Sequence, residues 1–434
     1  MRLRMIALLS VLALTTAASG VQSTDYKFSF GTGTPPAGFT QVNVDTMYTV
    51  ERGYGFEPST NLPTPGQGTM PIVAPALRAG ESLISSDRAF LFSAAVPEGN
   101  YRVTLTLGDP DADCTTTVKA EARRLMLEHL TIPKGAQVTR SFVVHVRRPQ
   151  VRPGVAVKLD PREPGSLTWD NKLSLQFSDA HTALRQLEIH RADDVCTVFL
   201  CSDSTVTDQP IEPYGGWGQM LPRWFNDKVA VANYAESGQT LKAFQRQRRW
   251  DKVLSLLKGG DYVFMQFGNN DMQSRGHNAL WPADDHDEDW SATFSDPNTD
   301  YQDILKDWSA QVKAKGAIPV VVSPYTKARR GEPDPAGLRT YPAAAQKAAK
   351  DSNTPFLNLT AISTAVLTAL GPQVGAQAYV DGQHTTSYGA YLNARSVAFG
   401  IRELRLDLAK HLTEDAVFDP RNPLPLRADF AVPR

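Results

Sequence analysis

The chain reads as two domains in series, a β-sandwich followed by an α/β domain built on a parallel sheet. Three observations predict this. Up to about Arg191 apolar residues alternate in short runs cut by Gly, Pro and Asn, and no helical stripe exceeds three turns, which is the texture of an antiparallel sandwich. After Asp193 nearly continuous apolar runs alternate with helical segments, as in a parallel sheet covered on both faces. The length of 434 residues accommodates two domains of ordinary size.

At the N-terminus Arg2 and Arg4 precede an apolar run from Met5 to Leu14, followed by Ala17, Ala18, Ser19 and Gly20. That is the layout of a secretory signal peptide. The run is shorter than the roughly 20 apolar residues a spanning helix needs, so residues 1–20 are expected to be a cleaved signal and the protein secreted or periplasmic. No later stretch is expected to be long and apolar enough to span a bilayer.

The sandwich is placed at residues 24–192. Its strands include Tyr101–Leu107, Arg140–Val146, Leu173–Phe177 and Leu187–His190, in each of which apolar side chains fall largely on every second residue. The α/β domain is placed at residues 193–434, without a long linker. Val195–Cys201, Lys228–Ala232, Tyr262–Phe267, Ile318–Val322 and Pro355–Leu359 are its strands. Pro319 is discordant there, because a proline fits only at a strand start or an edge. Ala390, Ala394, Val397, Ile401, Leu404 and Leu408 mark a helix docked on the sheet. The proline-rich tail from Asp419 is expected to run over the surface.

Composition excludes several classes. With 45 basic and 46 acidic residues the net charge is -1, too balanced to hold nucleic acid or an anionic membrane. Three cysteines are too few for a disulfide scaffold. Cys196 and Cys201, five positions apart on one strand, face opposite sides and are expected to be small buried thiols.

In an open α/β sheet the site lies at the carboxyl ends of the strands. Those ends are polar here: Ser202-Asp203-Ser204-Thr205 after the first, Glu236-Ser237-Gly238-Gln239-Thr240 after the second, Gly268-Asn269-Asn270-Asp271 after the third, and Asp381-Gly382-Gln383-His384 before the last helix. Acyl transfer needs a nucleophile, a base, a carboxylate that orients the base, and donors for the developing oxyanion. Ser204, His384 and Asp381 supply the first three. The backbone N–H groups of Ser204 and Gly238 and the side-chain amide of Asn270 supply the oxyanion hole. Singly, each is an ordinary turn or cap; four complementary roles on four sheet-edge loops of one domain are what point to a site. His384 alone among the histidines follows a carboxylate at short spacing near a strand end. His129, His145, His181 and His190 fall in the sandwich, His277 and His286 in a polar insertion, and His411 at a helix end.

Residues 195 to about 405 resemble the SGNH, or GDSL-type, esterase and lipase superfamily, whose blocks match Ser204, Gly238, Asn270 and the Asp381/His384 pair. Within it, Asp203 to Gln209, Gly216 to Leu221, Asn233 to Gly238 and Asp381 to Thr385 resemble the rhamnogalacturonan acetylesterases. The opening Tyr26 to Gly31 and the sandwich behind it look like the galactose-binding-like module that precedes some of these enzymes. The resemblance implies a flavodoxin-like three-layer domain, no metal or organic cofactor, and removal of acetyl groups from acetylated pectic polysaccharide or oligosaccharide. It leaves the oligomeric state open.

Three departures carry expectations of their own. Ser202 stands where the family's first block usually has glycine; if that position requires φ > 0, serine costs of order 1 kcal/mol and crowds an oxyanion donor. The insertion at 272–300, with Trp281, Asp284, Asp285, His286, Asp287, Glu288, Asp289 and Trp290, is read as a solvated acidic loop, with a lid or sugar-stacking wall as the functional alternative. An anionic substrate would need local cations, for which Arg329 and Arg330 are the candidates. The competing readings are another SGNH activity such as xylan deacetylation or lipid hydrolysis, a non-catalytic carbohydrate-binding protein, and a glycosidase.

Overall fold

The computed structural model describes residues 23–57, 61–62, 70–71, 76–272 and 294–423. The signal segment, the insertion's aromatic and acidic residues, and the tail beyond 423 lie outside the described residues.

The N-terminal domain is all-β among the described residues. Its core is aromatic: Phe28, Phe30, Phe56, Phe90, Phe92 and Phe177 are buried and meet in edge-to-face and stacked pairs with centroids 5.0–5.4 Å apart. Such pairs add about 1 kcal/mol each to the area they bury. One expectation is corrected here. Leu173–Phe177 and Leu187–His190 belong to a single 20-residue strand, Lys172–Arg191. Its first half pairs with Phe90–Ala95 and Cys114–Ala120, its second with Asp25–Phe30 and Gly99–Leu107. At the corner Asp179 takes φ 96, so the strand bends from one sheet into the other. The sequence shows two separate strands because the partners of the intervening polar residues lie far away in sequence. Thr117 donates to Asp179 at 2.6 Å, and His181 bridges Asp87 and Asp109 at 2.7 and 3.0 Å.

The C-terminal domain holds a five-stranded parallel sheet. In spatial order the strands are Val229–Asn233, Cys196–Cys201, Tyr262–Gln266, Ile318–Val322 and Phe356–Leu357. This is the flavodoxin-like order 2-1-3-4-5, whose switch point lies between the first and third strands. Alternation splits the first strand between two cores. Val198 and Leu200 pack with Trp217, Leu221, Ala394 and Val397; Phe199 and Cys201 pack with Phe244, Trp250, Leu305 and Trp308. Cys196 and Cys201 accordingly face opposite sides, and all three cysteines are free. Pro319 is accommodated although its strand is internal. Ile318 donates to Asp261 on one side and Val321 to Pro355 on the other. The proline therefore turns its missing N–H toward a neighbour whose pairing begins only at Val321.

A second correction concerns residues 359–378, which have the length and hydropathy to cross a membrane. In the fold they form the helix Leu359–Gly375 and a following turn, capped by Asn358 and broken at Gly371 with φ 71. The helix buries Val366, Leu367 and Leu370 against Leu392 and Phe418. Its other side carries Thr364 and Thr368, the latter donating its hydroxyl to the Thr364 carbonyl at 2.8 Å.

The two domains share a polar interface. The turn Glu121–Ala122–Arg123 joins the strands Cys114–Ala120 and Arg124–Ile132 and pushes into the α/β domain. Gln219 donates its amide to the carbonyls of Ala122 and Gln209, both at 2.8 Å. Arg123 donates to the Gln209 carbonyl at 3.0 Å and to Ser387 Oγ at 3.1 Å. Arg124 pairs with Asp208 at 2.7 Å, and Leu125 enters the α/β core. Beside them His145 links Asn100 at 2.8 Å to the Tyr234 hydroxyl at 3.1 Å.

Candidate active site

The strand Cys196–Cys201 delivers a tight turn. Asp203 Oδ1 accepts from the Thr205 N–H and hydroxyl at 2.9 and 2.7 Å, while the Asp203 carbonyl accepts from Val206 and Thr207. The turn leaves Ser204 at the sheet's carboxyl edge, 4% exposed, with its Oγ 3.0 Å from His384 Nε2. On the ring's far side His384 Nδ1 lies 2.8 Å from Asp381 Oδ2. Asp381 Oδ1 accepts from the backbone N–H groups of Gln383 at 3.0 Å and His384 at 2.8 Å. A four-residue loop thus closes on its own carboxylate. Gly382, at φ 84, lets its carbonyl accept from Ala328 at 2.7 Å, and Tyr325 binds the Gln383 carbonyl at 2.8 Å.

Burial would raise the Asp381 carboxyl, but the hydrogen bonds from His384 and the backbone outweigh it and hold it at about 2. An ionised Asp381 accepts a hydrogen bond from Nδ1–H, leaving Nε2 free to accept from the Ser204 hydroxyl. A carboxylate lowered on folding stabilises the fold above its ordinary value of 3.8 and loses that contribution as pH falls toward 2. The stability gap between wild type and Asp381→Asn should therefore close across that window in acid-unfolding titrations. A gap that is constant with pH would contradict it.

The candidate oxyanion donors are the Ser204 N–H in the nucleophile turn and Gly238 and Asn270 on the two neighbouring loops. Gly238 sits at φ 78 with open space where a Cβ would stand. The N–H groups of Ser204 and Gly238 donate to no atom among the described residues. Asn270 Nδ2 donates one hydrogen to the Gln239 carbonyl at 3.0 Å, which fixes the amide and leaves its second hydrogen for a ligand. Asp271 anchors this loop, accepting from Gly268 at 3.1 Å and from Leu241, at the start of the helix Leu241–Arg246, at 3.2 Å. Its burial pushes the carboxyl up to about 7. Replacing Asn270 with alanine should lower kcat about 100-fold or more with little change in KM, read by steady-state kinetics on p-nitrophenyl acetate.

The expectation about Ser202 is corrected. Its φ is not positive, and its hydroxyl donates to the Gln266 carbonyl on the neighbouring strand. The serine is neither strained nor turned toward the oxyanion donors; it ties two strands where glycine would leave that carbonyl without this partner. Two residues near the triad escaped the sequence reading. Gln209 donates to the Ser204 carbonyl at 3.0 Å, while Gln209's own carbonyl is held by Arg123 and Gln219. The Tyr214 ring stands edge-on to the His384 ring, centroids 6.0 Å apart. Tyr214 is recognisable only through the pairing of Tyr214–Gly215 with Thr385–Thr386.

A 2-1-3-4-5 sheet with a Ser–His–Asp line at its carboxyl edge is the arrangement the SGNH resemblance leads one to expect. Residues 203–391 match the model of the GDSL-like lipase/acylhydrolase family, and residues 26–151 that of the β-agarase/YXIM esterase-like, galactose-binding-like domain. The rhamnogalacturonan acetylesterase RhgT of Bacillus subtilis is 30% identical over 234 residues, 50% of this chain and 93% of that one. The uncharacterized esterase YxiM of the same species is 24% identical over 391 residues, 88% of this chain and 90% of that one. The crystal structure of YxiM covers 88% of this chain and 99% of its own at 23% identity, with a TM-score of 0.45. The chain belongs to the GDSL-like lipase/acylhydrolase family, with a galactose-binding-like domain before the hydrolase domain.

Proposed function

We propose that the protein is a carbohydrate esterase that removes acetyl groups from pectic polysaccharide of the rhamnogalacturonan type, acting outside the cytoplasmic membrane once residues 1–20 are cleaved. The Ser204–His384–Asp381 line carries the chemical part, and the resemblance of the hydrolase domain to a rhamnogalacturonan acetylesterase supports the substrate. Ser204 Oγ attacks the acetyl carbonyl as His384 Nε2 takes its proton, and the carbonyl oxygen becomes an oxyanion facing Ser204 N–H, Gly238 N–H and the Asn270 amide. Collapse expels the sugar alkoxide, which takes the proton from His384, and leaves an acetyl ester on Ser204. Water, deprotonated by His384, then attacks that ester; the second collapse returns the proton to Ser204 and releases acetate.

The test is acetate release from acetylated rhamnogalacturonan compared with acetylated xylan and a long-chain ester. Faster release from the pectic polymer is expected. Equal rates on the two polysaccharides would remove the substrate assignment while leaving the esterase, and binding without acetate release would remove both.

A further inference from the structure

Lys327 lies between the two loops that carry the oxyanion amide and the base. Its Nζ reaches Met272 Sδ at 3.6 Å, two residues beyond Asn270. The next residue, Ala328, donates its N–H to the carbonyl of Gly382, two residues before His384. Arg339 converges on the same spot from the turn Pro335–Leu338, donating Nη1 to the Met272 carbonyl at 3.0 Å. Two cations thus meet at one methionine beside the triad, and neither forms an ion pair among the described residues. Asp334, opposite Lys327 in the hairpin register, caps the following turn by accepting from Gly337 at 3.2 Å.

Arg339 is exposed, and Lys327 is the member of the pair whose burial is costly without an anion. Lys327 is half-buried, and burial first, then the charge of Arg339, lowers its pKa against the pull of Asp203, Asp334 and Asp381. A thioether and a carbonyl are poor substitutes for a counter-ion. Arg339 holds a positive φ of 53 with ψ -130, a conformation a non-glycine residue keeps only where its surroundings impose it. A planar guanidinium beside an ammonium fits a carboxylate, which accepts two hydrogen bonds from the first and a third from the second.

We infer that Lys327 and Arg339 form a carboxylate subsite that holds a uronate residue of the chain next to the acetylated sugar. Arg329 and Arg330, the cations the sequence suggests, are exposed farther along the hairpin. The inference rests on the esterase reading and narrows its substrate to a polymer carrying uronates near the ester.

The test uses the full chain with Lys327→Met, Lys327→Arg and Arg339→Gln. A deacetylated galacturonate-containing oligosaccharide serves as inhibitor of p-nitrophenyl acetate hydrolysis, and its carboxyl-reduced, neutral form as control. Inhibition by the uronate form should weaken about tenfold or more in Lys327→Met and Arg339→Gln. Inhibition by the neutral form should change far less, and Lys327→Arg should retain most of the affinity. Equal weakening for the charged and neutral forms, or none for either, would overturn the subsite. The failure of the pectic reading looks different: wild type would then release no acetate from the pectic polymer, while the uronate form still inhibits and the variants still weaken it.

Discussion

Ser204→Ala is expected to lower kcat on p-nitrophenyl acetate by on the order of 10⁵-fold, leaving the residual rate that binding and oxyanion donors alone supply. The size follows from the geometry. Ser204 Oγ is 3.0 Å from the only ring nitrogen that Asp381 leaves available as acceptor, so removing the hydroxyl leaves His384 nothing to deprotonate except water. Stability should hardly change, because the lost oxygen is bonded to His384 alone among the described residues and sits at the sheet edge. Acid quench during turnover of wild type should trap an acetyl group on the peptide containing Ser204, and the variant should yield none. Full activity in the variant would move the nucleophile elsewhere.

Asp208→Ala is expected to destabilise the chain by roughly 3–5 kcal/mol, because it strips a buried counter-ion from two arginines at once. Asp208 is fully buried; its Oδ2 lies 2.7 Å from Arg124 and 3.7 Å from Arg147, and its Oδ1 accepts from Asn233 at 2.8 Å. Arg147 is pressed over the Trp169 ring at 4.6 Å, and burial already brings its pKa down to about 10 in spite of Asp208. Without the carboxylate both guanidiniums remain buried, next to the carboxyl of Glu121, which burial raises well above its ordinary range. Urea unfolding checks this: the midpoint should fall strongly, and a midpoint equal to that of wild type would show that the pair contributes nothing net. The same residue lies four positions after Ser204, so the interface and the nucleophile turn should loosen together.

The catalytic constellation was legible because its signals are local. Asp381 and His384 are three residues apart, each parallel strand is one apolar run, and the rule for open sheets brings the strand ends to one edge. The interface was not legible. Arg123, Arg124 and Arg147 lie in a strand-rich half, and only partners in the other domain, Gln209 and Asp208 among them, account for their burial. The strand Lys172–Arg191 failed for a related reason, since Asp179 and His181 look like turn residues until Thr117, Asp87 and Asp109 are brought beside them. Ser202 was misjudged because a family pattern suggests a backbone requirement that this backbone does not have. The helix Leu359–Gly375 illustrates the limit of hydropathy alone, which reports composition and not the face on which it falls.

The hairpin turn at Glu121–Arg123 also bears on the order in which the molecule is completed. The sandwich leaves the ribosome first, yet Arg124 finds its carboxylate 84 residues downstream and Arg123 its serine partner Ser387 264 residues downstream. The first-made domain therefore emerges with arginines at its tip whose hydrogen-bonded partners Asp208 and Ser387 have not yet been made. Contacts of such sequence separation form late, after the intervening loop entropy has been overcome. The contact that ties Arg123 to the last helix of the hydrolase, which begins at Ser387, can form only after that helix has been made.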